Sequence, residues 1–127
     1  MGAGCIAFFG AELKSGIEAI LGLINFNTQL EGADLVISGE GKIDFQSACG
    51  KVIAGIAKRT KAANVPLIAI VGAIDKTAAV AYEAGVSAMF GIDREAKAFE
   101  EYAAESSECY RLTLEDIMRL IKVIGKA

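Results

Sequence analysis

Three short stretches of the chain are apolar at every position or nearly so, which is the pattern of strands that are buried on both faces. They span residues 35–37, 67–71 and 88–92. The first run stops at Ser38 and Gly39 and the second at Gly72, while Pro66 opens the second run at a position where its missing N–H costs little. We therefore predict three short strands, the first two ending at these glycines.

The segments between these runs carry apolar residues at helical spacing. They predict helices over residues 15–25, 46–63 and 77–84, the last stopped by Gly85, and a final helix that begins at Thr113. Ser15 with Glu18, and Thr113 with Asp116, fit the capping-box pattern. Lys58, Arg59 and Lys61 are expected to form a solvated helix end.

Two segments give no clear prediction. The apolar run 5–9 is too short for an independent helix and is expected to be the tail of another element. The polar stretch 93–111 has no decisive pattern.

The resulting order, αβαβαβα, has crossovers long enough for parallel pairing of the strands. It predicts one α/β domain over residues 1–127, with an open parallel sheet and helices on both faces. Because a sheet of three strands leaves its edges exposed, we expect either self-association or a larger protein to cover them.

Composition narrows the class of protein. The chain has 127 residues, 54% of them hydrophobic, and a net charge of only −3. This is ample material for a core, and the absence of a basic stripe makes nucleic acid an unexpected partner. No apolar run is long enough for a membrane span, and the opening lacks the basic residues of a signal peptide. The expected location is the cytoplasm.

The chain has no histidine and three cysteines, none in a CxxC pair. Every His-containing catalytic triad is therefore excluded, and a zinc site is not expected. Reduced thiols are the simplest interpretation of the cysteines, and Cys49 is expected to be a small buried filler. Acid–base chemistry must fall to carboxylates, Lys, Cys or Tyr.

The glycine-rich segment 38–51 follows the first strand, and ligands of open α/β sheets bind outside the carboxyl ends of the strands. Two glycines allow the backbone to approach a ligand, and the following helix N-terminus favours an anion. Glu40 and Asp44 can hold Mg²⁺ or accept a proton, and Lys42 and Lys51 can neutralise phosphate charge. Neither generic nucleotide motif fits: Asp44 replaces the third glycine of GxGxxG, and Phe45 and Val52 break a Walker A loop.

The run GADLVISGEGKIDFQSACGK, continuing into VIAGIAKRTKAANVPLIAIVGAI, resembles the signature region of bacterial glycerate kinases of the type I family. That family carries a GEG-(R/K)-x-D-x-Q-S-x-x-G-K string after a strand. The opening MGAG…FFGAELKSGIE resembles the segment just upstream. The resemblance runs from residue 1 to about residue 92 and then fades, because 93–97 replaces a proline-containing loop of many members.

The resemblance implies the Rossmann-like part of a two-domain kinase that phosphorylates D-glycerate with ATP and Mg²⁺ in the cleft between its domains. It also implies a chain about three times longer, of which these residues match the C-terminal third, so the missing N-terminal region is one expected partner. A second hypothesis is a free-standing module that binds a phosphometabolite or acts as a scaffold, without turnover.

The resemblance implies that the positions of the matched loop are functional; the individual roles are inferred from their chemistry. Asp44 is expected to be the catalytic base or a metal ligand, Glu40 a metal ligand, and Lys51 a catalytic phosphate contact. The remaining expected cofactor contacts are Gly39, Gly41, Lys42, Gln46, Ser47 and Gly50.

Each of these positions also has a simpler interpretation. Asp44 can be an N-cap, Glu40 can pair with Lys42 on the surface, and Lys51 can be an ordinary exposed lysine. Gln46 and Ser47 suit any turn or cap, and the glycines can serve only turn geometry and close packing.

Overall fold

The computed structural model describes residues 2–12, 14–44, 52–95 and 99–125. The helices are α1 (Gly2–Phe9), α2 (Gly16–Leu23), α3 (Phe26–Gln29), α4 (Val52–Ala62), α5 (Val80–Ala84) and α6 (Phe99–Ile124). The strands are β1 (Val36–Ile43), β2 (Leu67–Ile74) and β3 (Ala88–Gly91). The predicted first turns of the helix over 46–63 lie outside the described residues. No helix among those described combines the length and hydrophobicity that crossing a bilayer requires.

The strands form one parallel sheet in the order β1-β2-β3. Val36 pairs with Leu67 across the first ladder, and Ile68 pairs with Ala88 across the second. The crossovers run through α4 and α5, as the alternation of apolar runs and helical stripes predicts. The predicted fold class, an open parallel α/β sheet flanked by helices, is confirmed.

The central strand β2 divides the core between two faces, because successive side chains of a strand point to opposite sides. Leu67, Ala69 and Val71 belong to a buried cluster with residues of α2, α4 and α5. Ile68 and Ile70 face the other way and pack with Cys109, Ile117 and other residues of α6. The sheet is thus the middle of three layers, with α6 on one side and α2, α4 and α5 on the other.

Both β1 and β2 are longer than predicted, because neither strand ends at its glycine. A Cβ at Gly39 would lie 2.8 Å from the Ile70 carbonyl oxygen, and a Cβ at Gly72 would overlap the Gly41 carbonyl oxygen. These glycines permit close approach of the two strands at their carboxyl ends, where the sequence suggested a turn. The predicted loop over 38–44 is therefore mostly strand.

The last helix begins at Phe99 and not at Thr113, and it runs for 26 residues. Thr113 lies inside this helix and is buried, so the predicted cap is wrong. The described part of the ambiguous stretch 93–111 is a connection after β3 followed by the first half of α6. A capping box is informative only where a helix begins, and the residues before Thr113 continue the helix.

Smaller differences concern the other helices. The run 5–9 belongs to the separate short helix α1 and not to a larger element. Ser15 makes no side-chain hydrogen bond that caps α2. Instead Glu18 accepts a hydrogen bond from Arg59, so this arginine is not a solvated helix end. The predicted stop of α5 is confirmed, because Gly85 adopts the left-handed conformation with φ of 118°.

Candidate active site

A cleft of about 980 Å³ opens at the carboxyl ends of the strands, between the sheet and the first half of α6. This is where an open α/β sheet ordinarily binds its ligand. The lining contributed by the strands and the turn after β3 is Gly39, Glu40, Gly41, Lys42, Ile70, Val71, Gly72, Ala73, Ile92, Asp93 and Glu95. From α6 come Ala103, Ser106 and Tyr110.

The cleft exists because the side chains that fill the space between the sheet and α6 are followed by glycines towards the carboxyl ends of the strands. Ile37, Ile68 and Ile70 fill that space at the start and middle of β1 and β2. Gly39 and Gly41 lie two and four residues beyond Ile37 in β1. They are on the same face of the strand as Ile37, because successive residues alternate between the two faces. With no Cβ at these positions, a ligand can reach the backbone of the strands.

Charged groups at the edge of the cleft are held in place by hydrogen bonds. Lys42 Nζ lies 3.6 Å from a carboxylate oxygen of Asp75, which follows β2. Asp75 Oδ1 in turn accepts hydrogen bonds from the backbone N–H of Thr77 at 2.9 Å and from its hydroxyl at 2.7 Å. These two bonds, with a smaller contribution from Lys42, hold the pKa of Asp75 below its ordinary value. Lys42 therefore forms an ion pair with Asp75.

The opposite rim carries two further carboxylates. Asp93 and Glu95 line the cleft directly after β3. The Asp93 carboxylate lies over Gly91, where a Cβ would overlap its Oδ1. Between them, Arg94 donates a hydrogen bond of 2.9 Å to Asp116, which ties this turn to α6. Arg94, followed by Arg119, lowers the pKa of Asp116.

The helix wall of the cleft was not anticipated from the sequence. Ala103, Ser106 and Tyr110 follow one another at spacings of three and four, which places them on one face of α6. Tyr110 keeps 41% of its surface exposed and brings both an aromatic ring and a hydroxyl to the cleft. Asp75 and Asp93, in contrast, could have been found from the sequence. They follow β2 and β3, and the residues that follow the strands of a parallel sheet meet at one edge.

The structure brings four of the predicted site residues together: Gly39, Glu40, Gly41 and Lys42 all line the cleft. Asp44 is half-buried just beyond the end of β1 and is not part of the described lining. The predictions for Gln46, Ser47, Gly50 and Lys51, and for Cys49, fall outside the described residues. Cys109 is buried in the core beneath α6 and is a free cysteine, as is Cys5.

Extended backbone separates the two carboxylates that were predicted to bind metal. Four residues of strand correspond to about 13 Å between the Cα atoms of Glu40 and Asp44. Within the described part of the chain, no group of three or more metal-ligating side chains comes together. Mg²⁺ commonly takes one or two protein carboxylates and completes its shell with water and phosphate oxygens. Glu40 or Asp44 alone fits that role, while both on one ion do not fit.

The family model for the glycerate kinase family matches residues 1–122, well beyond residue 92, where the recognisable motif fades. The chain is 38% identical to a glycerate kinase from Bacillus cereus over 126 residues, covering 99% of this chain and 33% of that protein. It is 42% identical to a glycerate 2-kinase from Escherichia coli over 92 residues, covering 72% of this chain and 24% of that protein.

The same similarity holds in three dimensions. A crystal structure assigned to glycerate kinase 2 of Salmonella typhimurium LT2 superposes with a TM-score of 0.74 at 34% identity, over 100% of this chain and 32% of that one. The chain thus spans about one third of the length of these relatives. With the parallel sheet, the cleft at its carboxyl edge and these matches together, the chain belongs to the glycerate kinase family.

Proposed function

We propose that this chain supplies one wall of a site at which ATP phosphorylates D-glycerate in the presence of Mg²⁺. The observation that carries the proposal is the cleft whose floor is bare backbone at Gly39 and Gly41 and whose edge carries Lys42. Phosphoryl transfer depends on positioning and charge neutralisation more than on covalent help from the protein. A site without histidine is therefore chemically adequate.

The charges of the cleft support a requirement for a divalent cation. Among the described residues, three carboxylates line it, from Glu40, Asp93 and Glu95, against one ammonium group, that of Lys42. Since Lys42 is already paired with Asp75, an unaccompanied polyphosphate would meet net repulsion on the described walls. With Mg²⁺ on the phosphates that repulsion would be weaker, and the Glu40 carboxylate would serve as one of the oxygen ligands of the ion.

For the remaining residues the proposal follows the family resemblance. Asp44 is the candidate base that accepts the proton of the glycerate hydroxyl, or else a metal ligand. Gln46, Ser47, Gly50 and Lys51 are the candidate phosphate contacts. The expected location of the working protein is the cytoplasm, which agrees with the free thiols of Cys5 and Cys109.

A second candidate function is ligand binding without turnover. It is favoured by one observation: the chain spans only about a third of the length of its relatives. We expect the isolated chain to show no measurable glycerate phosphorylation in a coupled assay with ATP. Ordinary turnover, on the order of one per second or faster, would show that the described walls suffice.

The role of Asp44 can be tested in a chimera, defined as the Bacillus cereus relative with its matched third replaced by this chain. If Asp44 is a base or metal ligand, Asp44→Asn should lower turnover by about a hundredfold or more with little change in thermal stability. The amide keeps the size of the side chain and can still cap a helix, so the lost charge is the only large change.

Asp44→Ala is the matched control for the capping alternative. A residue that only caps a helix would tolerate Asn, while Ala would cost about 1 kcal/mol of stability and leave the chemical step almost unaffected. Near-normal turnover of the Asn variant in an active chimera would end the catalytic assignment of Asp44. A chimera without activity before any substitution would contradict the proposed function itself.

A further inference from the structure

We propose that the cleft binds one nucleotide lengthwise, with its nucleoside on α6 and its phosphates at the end of β1. Ala103, Ser106 and Tyr110 form what we call the α6 wall, and Tyr110 is the residue on which the base stacks. The inference rests on the proposed function, because it states how ATP lies in the cleft. It also gives a role to a part of the cleft that the sequence motif does not include.

The α6 wall carries no charged side chain among the residues that the structure describes. The Ser106 hydroxyl donates a hydrogen bond of 3.0 Å to the Ala103 carbonyl oxygen, within the helix itself. Proteins ordinarily hold a phosphate or a carboxylate with cations or with N–H donors. The described wall therefore suits the uncharged part of a substrate better than the phosphates of ATP or the carboxylate of glycerate.

Apolar residues continue the α6 wall onto the sheet. Ile70 and Ile92 also line the cleft and are almost fully buried. Both belong to one buried cluster with Cys109, the neighbour of Tyr110 on α6. Tyr110 itself keeps 41% of its surface exposed. An accessible aromatic ring beside an apolar floor provides the flat surface on which a purine base stacks.

The end of β1 suits the phosphates. Gly39 and Gly41 expose strand backbone, and a Cβ at Gly41 would meet nothing within 4 Å, so a ligand has room there. Lys42 brings its ammonium group to the same end of the cleft. Because β2 lies between β1 and β3, the ends of these two strands are about 10 Å apart, which is two strand spacings. The ribose and the terminal phosphates of one nucleotide are separated by a comparable distance.

Carboxylates on the β3 side determine the direction of the nucleotide. Asp93 and Glu95 line the cleft directly after β3, with the Asp93 carboxylate over Gly91. A carboxylate repels phosphates but accepts hydrogen bonds from ribose hydroxyls, as an acidic residue does in dinucleotide-binding sheets. Glu40, at the β1 end, is the candidate ligand of the Mg²⁺ that accompanies the phosphates. The nucleoside therefore lies towards β3 and α6, and the phosphates lie towards β1.

The size of the cleft agrees with this arrangement. Its volume is about 980 Å³, near the upper end of the range of about 300–1,000 Å³ that is usual for ligand pockets. D-glycerate is a small acid and would fill only a fraction of that volume. The space along α6 is therefore available to the larger substrate.

Separate titrations of adenosine, MgATP and D-glycerate into the chimera defined above test this arrangement. Adenosine alone should bind with a Kd of about 1 mM or tighter and should compete with MgATP. Tyr110→Ala should weaken the binding of adenosine and of MgATP by about tenfold or more, because the stacking surface is lost. The affinity for D-glycerate should change by less than about twofold, since the α6 wall does not contact it.

Two further variants separate the ring of Tyr110 from the charge at the other end of the cleft. Tyr110→Phe keeps the ring and should bind all three ligands within about threefold of the unsubstituted chimera. Lys42→Gln removes the ammonium group and should weaken MgATP binding by about fivefold or more. Its affinity for adenosine should stay normal, because adenosine has no phosphate.

Ala103→Glu tests the α6 wall without a change at Tyr110. Ala103 is exposed on the helix, so the fold should tolerate the longer side chain, which would occupy the space of the nucleoside. Adenosine and MgATP should bind about tenfold more weakly to this variant. Ala104→Glu is the matched control, because Ala104 is also exposed but lies outside the described lining. It should leave all three affinities and the thermal midpoint unchanged.

The possible failures of the inference and of the proposed function are distinct. Normal affinity for adenosine and MgATP in the Tyr110→Ala and Ala103→Glu variants of an active chimera would overturn the inference alone. The same holds if adenosine does not compete with MgATP, or if Ala103→Glu and Ala104→Glu have equal effects. Weakened binding of D-glycerate in place of adenosine would assign the α6 wall to the acceptor and would also overturn it. An unsubstituted chimera that binds no MgATP would contradict the proposed function, and the inference with it.

Discussion

At the scale of single residues, the candidate site is shaped by glycines, because they have no side chain. Gly39, Gly41 and Gly72 all lie near the carboxyl ends of β1 and β2, but an added methyl would meet different surroundings at each. At Gly72 it would overlap the Gly41 carbonyl oxygen, whereas at Gly41 it would meet nothing within 4 Å. One glycine is therefore required by strand packing, and the other leaves room in the cleft.

This difference predicts opposite outcomes for two alanine substitutions in the isolated chain. Gly72→Ala should destabilise the fold by about 1–3 kcal/mol, because backbone atoms of a paired strand cannot move away at low cost. Gly41→Ala should leave stability unchanged or raise it by up to about 1 kcal/mol, since it restricts the unfolded chain without a clash. Urea denaturation of the two variants measures both values.

The substitution at Gly41 should affect ligand affinity although it does not lower stability. In the chimera, Gly41→Ala should weaken binding of MgATP or D-glycerate by about tenfold while its stability stays normal, because the methyl occupies space at the cleft floor. Normal affinity for both ligands in this variant would mean that the cleft floor is not the binding surface. A destabilised Gly41→Ala protein would contradict the geometry itself.

These residues also show what a sequence can predict about a site. Gly39 through Lys42 line the cleft as part of β1, whereas the sequence suggested a turn there, because a glycine that ends a strand and one that permits close strand contact look alike in sequence. Ser106 and Tyr110 gave no comparable signal. Both residues line the cleft, and the sequence around them lacks the apolar stripe by which helices are recognised.

Among the helices, one arginine connects three elements. Arg59 of α4 donates a hydrogen bond of 2.6 Å to Glu18 of α2 and one of 3.3 Å to Asn27 of α3. Its side chain is only 19% exposed, so part of its apolar stem is also covered. The Arg59 hydrogen bond is the main reason that the pKa of Glu18 lies below its ordinary value. These two hydrogen bonds hold α2 and α3 against α4.

Removal of this arginine should therefore loosen the helical layer. We expect Arg59→Ala to cost about 1–2 kcal/mol of stability, through lost hydrogen bonds and lost packing of the stem. Arg59→Lys should recover only part of this, since an ammonium group cannot reproduce two hydrogen bonds in a fixed planar geometry. Chemical denaturation gives the free energies of unfolding.

The neighbouring lysine is the control for this prediction. Lys58→Ala removes an exposed charge one residue away and should change stability by less than about 0.5 kcal/mol. Equal effects at the two positions would mean that the Arg59 contacts contribute nothing beyond general surface charge. From the sequence, Arg59 was predicted to be a solvated cation at a helix end. Its partners Glu18 and Asn27 lie 41 and 32 positions away, so no local pattern indicates these hydrogen bonds.

At the scale of the whole molecule, the two faces of the sheet have different roles. One face holds α2, α4 and α5 in a core, while the other packs against Cys109, Ile117 and other residues of α6 and also forms the cleft under the first half of that helix. The three described strands and their parallel direction were predictable because buried parallel strands are short apolar runs separated by helical crossovers, whereas their order in the sheet was not predicted. The extent of α6 was not, because helix length here is set by tertiary contacts of Cys109 and Ile117 with the sheet.

The ionisable groups of the whole chain predict how its stability depends on pH. No histidine is present, so no side chain has an ordinary pKa between 5 and 8. Hydrogen bonds and cationic partners lower the pKa of Glu18 and Glu108 from 4.5 and that of Asp75 and Asp116 from 3.8. A carboxylate with a lowered folded pKa stabilises the fold fully above its unfolded pKa, and this stability is lost as the pH falls through the folded value.

Thermal melts of the isolated chain should therefore show a nearly constant midpoint from about pH 6 to 7.5 and a decline below about pH 4.5. Glu18→Gln should begin with a lower midpoint at pH 7 and lose less on acidification, because the titrating partner of Arg59 is gone. Salt at about 1 M should reduce the difference between this variant and the wild-type chain at pH 7, since the pair is partly exposed. A stability step centred near pH 6.5, or a midpoint that rises on acidification from pH 5 to 3, would contradict this account of the charges.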